Sequence, residues 1–222
     1  MSRPTVILFL RVPAIGRGKT RLAKDIGKVE AWRLSRSMTA GVLRRARDPR
    51  WRLVVRVTPD GALKGAEPQG SGDLGARLQR AIRAHASGPV AVIGTDIPDL
   101  NAARIAAAFK AARRHGAAIG PADDGGFWIL ALSSRRARAA AFPGVRWSTA
   151  ATCEDTIAAL EGAVARLETL IDVDDAASLR AWRASCAQPA DRPGPAAVRA
   201  GAAGRPGEGS AGSPERAGGN PC

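Results

Sequence analysis

The sequence predicts an α/β fold, a mostly parallel sheet sandwiched by helices. Three observations lead there. Short β-branched apolar runs alternate with longer segments of helical period along the first 186 residues. Turn-forming Gly, Pro and Asp cluster just after the apolar runs, where strands of such a sheet would end. The spacing between most of the apolar runs is wide enough for a helical crossover, which parallel strands require.

The elements follow in order. TVILFLRV (5–12) is the first strand, and a Gly-rich basic loop, RVPAIGRGKTRLAK (11–24), starts at its end. VEAWRLSRSMTAGVLRRA (29–46) has helical periodicity, and WRLVVRVT (51–58) reads as the second strand. PDGALKGAEPQGSG leads into a helix at 73–86, with Asp73 near its start. PVAVIGTD (89–96) is the third strand. The next helix, 101–116, has Asn101 at its N-cap and Gly116 at its end. AAIGPADD (117–124) and FWILAL (127–132) are a fourth and fifth strand, with room between them only for a hairpin-like turn. Helical segments at 134–141 and 151–161, a late strand within 165–173 and a last helix at 177–186 complete the domain. From residue 187 large apolar residues almost vanish among Pro, Gly, Ala and Ser, so 187–222 is expected to be a disordered tail.

The chain is 222 residues long and 45% apolar, enough for one core. No apolar run reaches the length of a membrane span, and the N-terminal run is too short and too soon interrupted for a signal peptide. Its three widely spaced cysteines make neither a disulfide framework nor a zinc pattern, so a cytoplasmic location is expected. The net charge is +14. Only five of the 34 basic residues are lysines. The arginines are scattered over helix faces without interleaved aromatics, and Tyr is absent, which disfavours a nucleic-acid partner.

Several segments carry the residue types of a site. Gly18-Lys19-Thr20 resembles the end of a P-loop, but Pro13 stands where that motif needs its first glycine, and proline has no N–H for a phosphate. Gly16, Gly18, Lys19 and Arg21 still form a loop suited to phosphate, with a point charge and a planar fork two residues apart; the plain alternative is solvated surface charge. Asp96, in VIGTDIPDL, lies at a strand end where ligands of open α/β sheets bind, and its oxygens suit Mg²⁺ or Mn²⁺. Asp99 is the better placed of the two for a helix cap. Asp123 and Asp124 point different ways if extended, and Gly125 and Gly126 permit a tight turn or a close approach to a ligand. Read alone, that segment is an ordinary Asp-Gly turn. In QGSGDLGARL, Gly72 and Asp73 are candidates for nucleotide contact, or a loop and an N-cap. Trp147, Asp172 and Asp174 are weaker candidates, the two carboxylates as a second acid or as caps. His85 and His115, late in helices, are expected to be surface residues without a catalytic part.

Together the segments P-x-x-G-x-x-K-T-R-L (13–22), Q-G-x-G-D-L-G-x-R (69–77), G-x-D-x-P (94–98), P-x-x-D-G-G followed by two aromatics (121–128), R-W-S-T (146–149) and D-V-D (172–174) resemble the DUF2064 family of GT-A-type proteins. That family includes glycosyltransferases of the arsenosugar-biosynthesis type. It is more distantly similar to guanylyltransferases of the phospholactate and molybdenum-cofactor type. The resemblance covers residues 5–180. It departs at Phe127-Trp128, where the family more often has tyrosines.

The resemblance implies a GT-A, Rossmann-like fold that binds a nucleotide diphosphate through Mg²⁺ or Mn²⁺. Gly16, Gly18, Lys19, Arg21, Gly72 and Asp73 would meet the nucleotide, Asp96 the metal, and Gly125, Gly126 and Trp147 the donor sugar or acceptor, with Asp124 as an acceptor-side base. The expected activity is a metal-dependent transfer from a nucleotide-activated donor to a small acceptor, in the first place glycosyl transfer from a nucleotide-sugar. The alternatives are a nucleotidyltransferase, joining an NTP to a phosphorylated small molecule, and a non-catalytic nucleotide- or RNA-binding protein.

Overall fold

The computed structural model describes residues 2–187 and the pair 199–200. The strands are β1 (Thr5–Arg11), β2 (Arg52–Thr58), β3 (Glu67–Pro68), β4 (Val90–Ile93), β5 (Ala117–Pro121), β6 (Phe127–Leu132), β7 (Val164–Arg166) and β8 (Arg199–Ala200). The helices are α1 (Thr20–Ile26), α2 (Lys28–Arg45), α3 (Leu74–Ala84), α4 (Ala102–His115), α5 (Ser134–Arg138), α6 (Thr152–Ala159) and α7 (Ala176–Ala187). One sheet runs in the order β3-β2-β1-β4-β6-β5-β7-β8. Strands β3, β2, β1 and β4 are parallel, β6 runs against both β4 and β5, and β5 and β7 are again parallel. The expected tail lies outside the described residues except for Ala187, the last residue of α7, and Arg199 and Ala200, which pair antiparallel with β7.

Alternation of side chains along the strands builds the two faces. On one face Val6, Leu8, Ala91, Ile93, Ile129 and Ala131 pack against α2 and α4 through Val42, Ile105, Ala108 and Phe109. On the other, Ile7, Val90, Val92, Ile119, Leu130 and Leu132 pack against α3, α5 and α6 through Leu78, Ile82, Ala137 and Cys153. Burial on both faces is why these strands read as continuous apolar runs in the sequence. A third, smaller cluster joins Leu22 of α1, Ala31 and Met38 of α2, Val173, and Ala176 and Leu179 of α7. It sits beside the sheet and fastens the basic loop to the D-V-D segment.

Four expectations change. The loop after β1 holds a helix, α1, of seven residues, too short to show a helical period and without a side-chain cap. The edge strand β3 is two residues long and contains Pro68, so no strand pattern marks it. The late strand shrinks to Val164–Arg166, and the chain beyond it stays beside β5 through Leu167 N to Ile119 O at 2.8 Å, Leu170 N to Pro121 O at 3.1 Å and a bridge between Leu170 and Ala122. His85 is no surface residue: its side chain is only 10% exposed and its Nε2 lies 3.0 Å from Glu67 Oε2, which also meets Arg56 at 2.8 Å. That cluster ties β3 to β2 and to the end of α3.

Candidate active site

The carboxyl ends of β1 and β4 and the turn before β6 open onto a cleft of about 740 Å³. Its walls include Phe9, Leu78, Phe127 and Trp147 as apolar surface and Asp96, Asp124, Asp172 and Asp174 as acids. Arg21 is at the rim.

Each acid is placed by a separate local device. Asp96 follows β4, and its backbone carbonyl accepts from Val173 N at 3.0 Å, which draws the D-V-D segment alongside. Val173 is fully buried with Leu22. Its neighbours Asp172 and Asp174, two residues apart on an extended chain, therefore face the same way. Asp123 does not enter the cleft; its carboxylate accepts from Asp172 N at 2.8 Å and holds that backbone in place. Asp124 does line the cleft, with one oxygen accepting from Gly126 N at 2.8 Å. The two adjacent acids thus have different tasks.

At the centre of the acids is Lys19. Its side chain is 8% exposed, and Nζ lies 2.9 Å from Asp96 Oδ1, 3.7 Å from Asp174 Oδ1 and 4.0 Å from Asp172 Oδ1. It also donates to Val173 O at 2.5 Å. The backbone of Lys19 is left-handed, with φ of 46°, and Gly16 and Gly18 before it also have positive φ, so the loop turns back on itself and aims this side chain inward. Trp32 of α2 fixes the start of the loop through its indole N–H to Pro13 O. Arg21 is largely exposed, 3.5 Å from Asp174 Oδ2.

Like charges and burial push the Asp172 carboxyl up to about 7, burial first and the neighbouring Asp96 next, with Lys19 opposing. Among the described residues no three His, Cys, Asp or Glu side chains stand together as a metal site, the Lys19 ammonium being among the acids instead. The donor set nevertheless fits Mg²⁺ or Mn²⁺: carboxylate and carbonyl oxygens already converge on one cation.

The other expected residues are placed as follows. Gly125 has φ of 86°, and a Cβ there would lie 2.2 Å from Ala150 O, so the turn and the 146–152 segment touch backbone to backbone. Gly126 lines the cleft. Trp147 packs edge-on against Phe142 and over Gly75, where a Cβ would lie 2.5 Å from its Nε1. Asp73 caps α3, accepting from Ala76 N at 2.8 Å, and Gly72 precedes it with φ of 96°. Asp99 caps nothing; Asn101 is the N-cap of α4, and Asp99 accepts from the Trp182 indole. Trp128 is 1% exposed and donates to Glu168 O, so only Phe127 of the aromatic pair reaches the cleft. Burial raises the Cys153 thiol to about 11, which removes it as a nucleophile. Asp172 and Asp174 are stronger members of the site than their sequence context implied; the signal was the D-x-D spacing on an extended chain.

The fold is that of nucleotide-diphospho-sugar transferases and nucleotidyltransferases. A solved protein of Desulfovibrio desulfuricans G20, provisionally named a nucleotide-diphospho-sugar transferase, superposes with a TM-score of 0.73 at 26% identity, over 82% of this chain and 87% of that one. A CMP:2-keto-3-deoxy-manno-octonic acid synthetase in complex with CTP reaches 0.54 at 13% identity, over 84% and 99%. A mycobacterial homologue, from strain JC1, of the Mycobacterium tuberculosis protein Rv0371c reaches 0.51 at 15%, over 82% and 96%. The latter two likenesses concern the fold alone. Residues 42–149 match the model of the DUF2064 family, described as an uncharacterized protein conserved in bacteria, in agreement with the resemblance read from the motifs. No curated protein matches the sequence. Among the described residues no helix is long and apolar enough to cross a membrane.

Proposed function

We propose that this chain is a metal-dependent transferase that moves a sugar from a nucleotide-diphospho-sugar to a small acceptor. The observation that carries the reading is the convergence of Asp96, Asp172 and Asp174 with Lys19 at the strand ends, in a cleft that also presents apolar and aromatic walls. The likeness to the D. desulfuricans protein supports it.

In this reading Asp96, Asp172 and Asp174 hold Mg²⁺ or Mn²⁺, which when bound supplies positive charge against the leaving diphosphate. Lys19 and Arg21 donate to the phosphate oxygens, with Gly16 and Gly18 shaping the loop around them. Gly72 and Asp73, just before the cleft-lining Leu74, would meet the nucleotide. Trp147, Gly125 and Gly126 face the sugar and acceptor. Asp124, with one oxygen engaged by Gly126 N, takes the acceptor hydroxyl proton on the other as the new glycosidic bond forms and the bond to the diphosphate breaks.

A second reading, nucleotidyl transfer, has a specific support: the basic loop would serve a triphosphate equally well, and the CTP-bound synthetase shares the fold. Thermal unfolding with a panel of NTPs, NDPs and NDP-sugars, with and without Mn²⁺, tests both. A ligand at about 100 times its Kd adds roughly 2.7 kcal/mol. Metal-dependent stabilisation by one NDP and its sugar is expected, and Asp96→Asn should abolish the metal-dependent part. Preference for an NTP would favour the second reading. Retention of the metal-dependent shift in Asp96→Asn would refute the site.

A further inference from the structure

We propose that Lys19 is the resident cation of the acidic centre, so that its ammonium and a divalent metal compete for the same oxygens. The inference rests on the metal-binding role proposed above for Asp96, Asp172 and Asp174. It departs from a simple phosphate-binding role for Lys19, because every contact the structure gives Nζ is with the acids or with Val173 O. An ammonium that is 8% exposed among three carboxylates offsets part of their charge without a metal. A metal placed on those same oxygens meets the positive charge of Lys19 at close range.

The geometry supplies a way out. Lys19 is on a loop with two positive-φ glycines, and its stem is long and unbranched. A phosphate bound near Arg21 gives the ammonium an anionic partner outside the carboxylate ring. Release of Lys19 to that phosphate frees the oxygens. Metal and phosphate-bearing ligand therefore enter as a coupled pair, and the metal alone binds weakly. Coupling of this kind is reciprocal: the metal must strengthen phosphate binding by the same factor.

The test measures free Mn²⁺ by electron paramagnetic resonance during titration of the protein without nucleotide. Lys19→Met, unbranched and neutral, should bind Mn²⁺ more tightly than the native chain by about tenfold or more. Lys19→Arg, which keeps the charge, should show no such gain. Equal or weaker Mn²⁺ binding by Lys19→Met would overturn the proposal. A measurement on the unmodified chain covers failure of the variants to fold. With only five lysines in the chain, acetylation of each can be followed by peptide mass spectrometry. Saturating Mn²⁺ should raise labelling of Lys19 several-fold relative to Lys24, Lys28, Lys64 and Lys110; unchanged labelling overturns the competition. If the native chain binds no Mn²⁺ with any nucleotide, the proposed function falls and this inference with it. If Mn²⁺-dependent nucleotide binding holds but both Lys19 readouts are flat, only this inference falls.

Discussion

Replacing Asp172 by Asn should stabilise the metal-free protein at neutral and alkaline pH. The carboxyl titrates near 7 in the folded chain, against an ordinary value of 3.8, because burial and Asp96 outweigh Lys19. The direction of the effect follows from linkage. With the folded value raised, the unfolded chain ionises first as pH rises, so stability falls between about pH 4 and 7 and the loss is complete above 7. The gap corresponds to about 4 kcal/mol as a ceiling. The side chain retains 23% exposure, and solvent screening reduces this to about 1–3 kcal/mol. Asn keeps the size and removes the charge. For a chain of this length that is a rise of about 2–12 °C in Tm at pH 8, shrinking toward zero by about pH 4. Differential scanning calorimetry of both proteins across that range, with chelator present, reads it directly. A Tm difference that is absent, of opposite sign or independent of pH would refute the claim that burial and the neighbouring acids disfavour a charged Asp172.

The remaining predictions concern the turn and the capped helix. Gly125→Ala combines a positive φ with a Cβ 2.2 Å from the Ala150 carbonyl oxygen, and should cost about 2–4 kcal/mol in urea unfolding. Gly61→Ala, at φ of 78° but with open space around it, should cost only about 1 kcal/mol; equal losses would show that backbone contact at residue 150 is unimportant. Asp73→Ala should cost about 1 kcal/mol and Asp73→Asn almost nothing, since Asn caps as well as Asp. If Asp73→Asn nevertheless weakens nucleotide binding tenfold, the Asp73 charge serves the ligand in addition to the helix.

Much of the fold was legible because its information is local. The central strands are buried on both faces, so Thr5–Arg11 and Phe127–Leu132 are continuous apolar runs. Helices α2, α3 and α4 are long enough for a period, and α3 and α4 begin at Asp73 and Asn101, residues that cap by their own side chains. Helix α1 and strand β3 were not legible, since seven and two residues carry too little pattern. Their existence depends on Leu22 packing with Val173, and on Glu67 meeting Arg56 and His85.

The sequence by itself placed the candidate residues at strand ends: Gly16, Gly18, Lys19 and Arg21 after β1, Asp96 after β4, and Asp124, Gly125 and Gly126 before β6. Their residue types and turn positions are properties of short segments. Only the tertiary structure decided that Asp172 and Asp174, more than 70 residues from Asp96, complete the acidic centre, that Asp123 braces it, and that Lys19 fills it. The physical reason is that a carboxylate reads as a cap or a surface charge until its neighbours are known. Those neighbours are brought together by the burial of Val173 against Leu22 and by its hydrogen bond to Asp96. Neither interaction leaves a pattern in a short stretch of sequence.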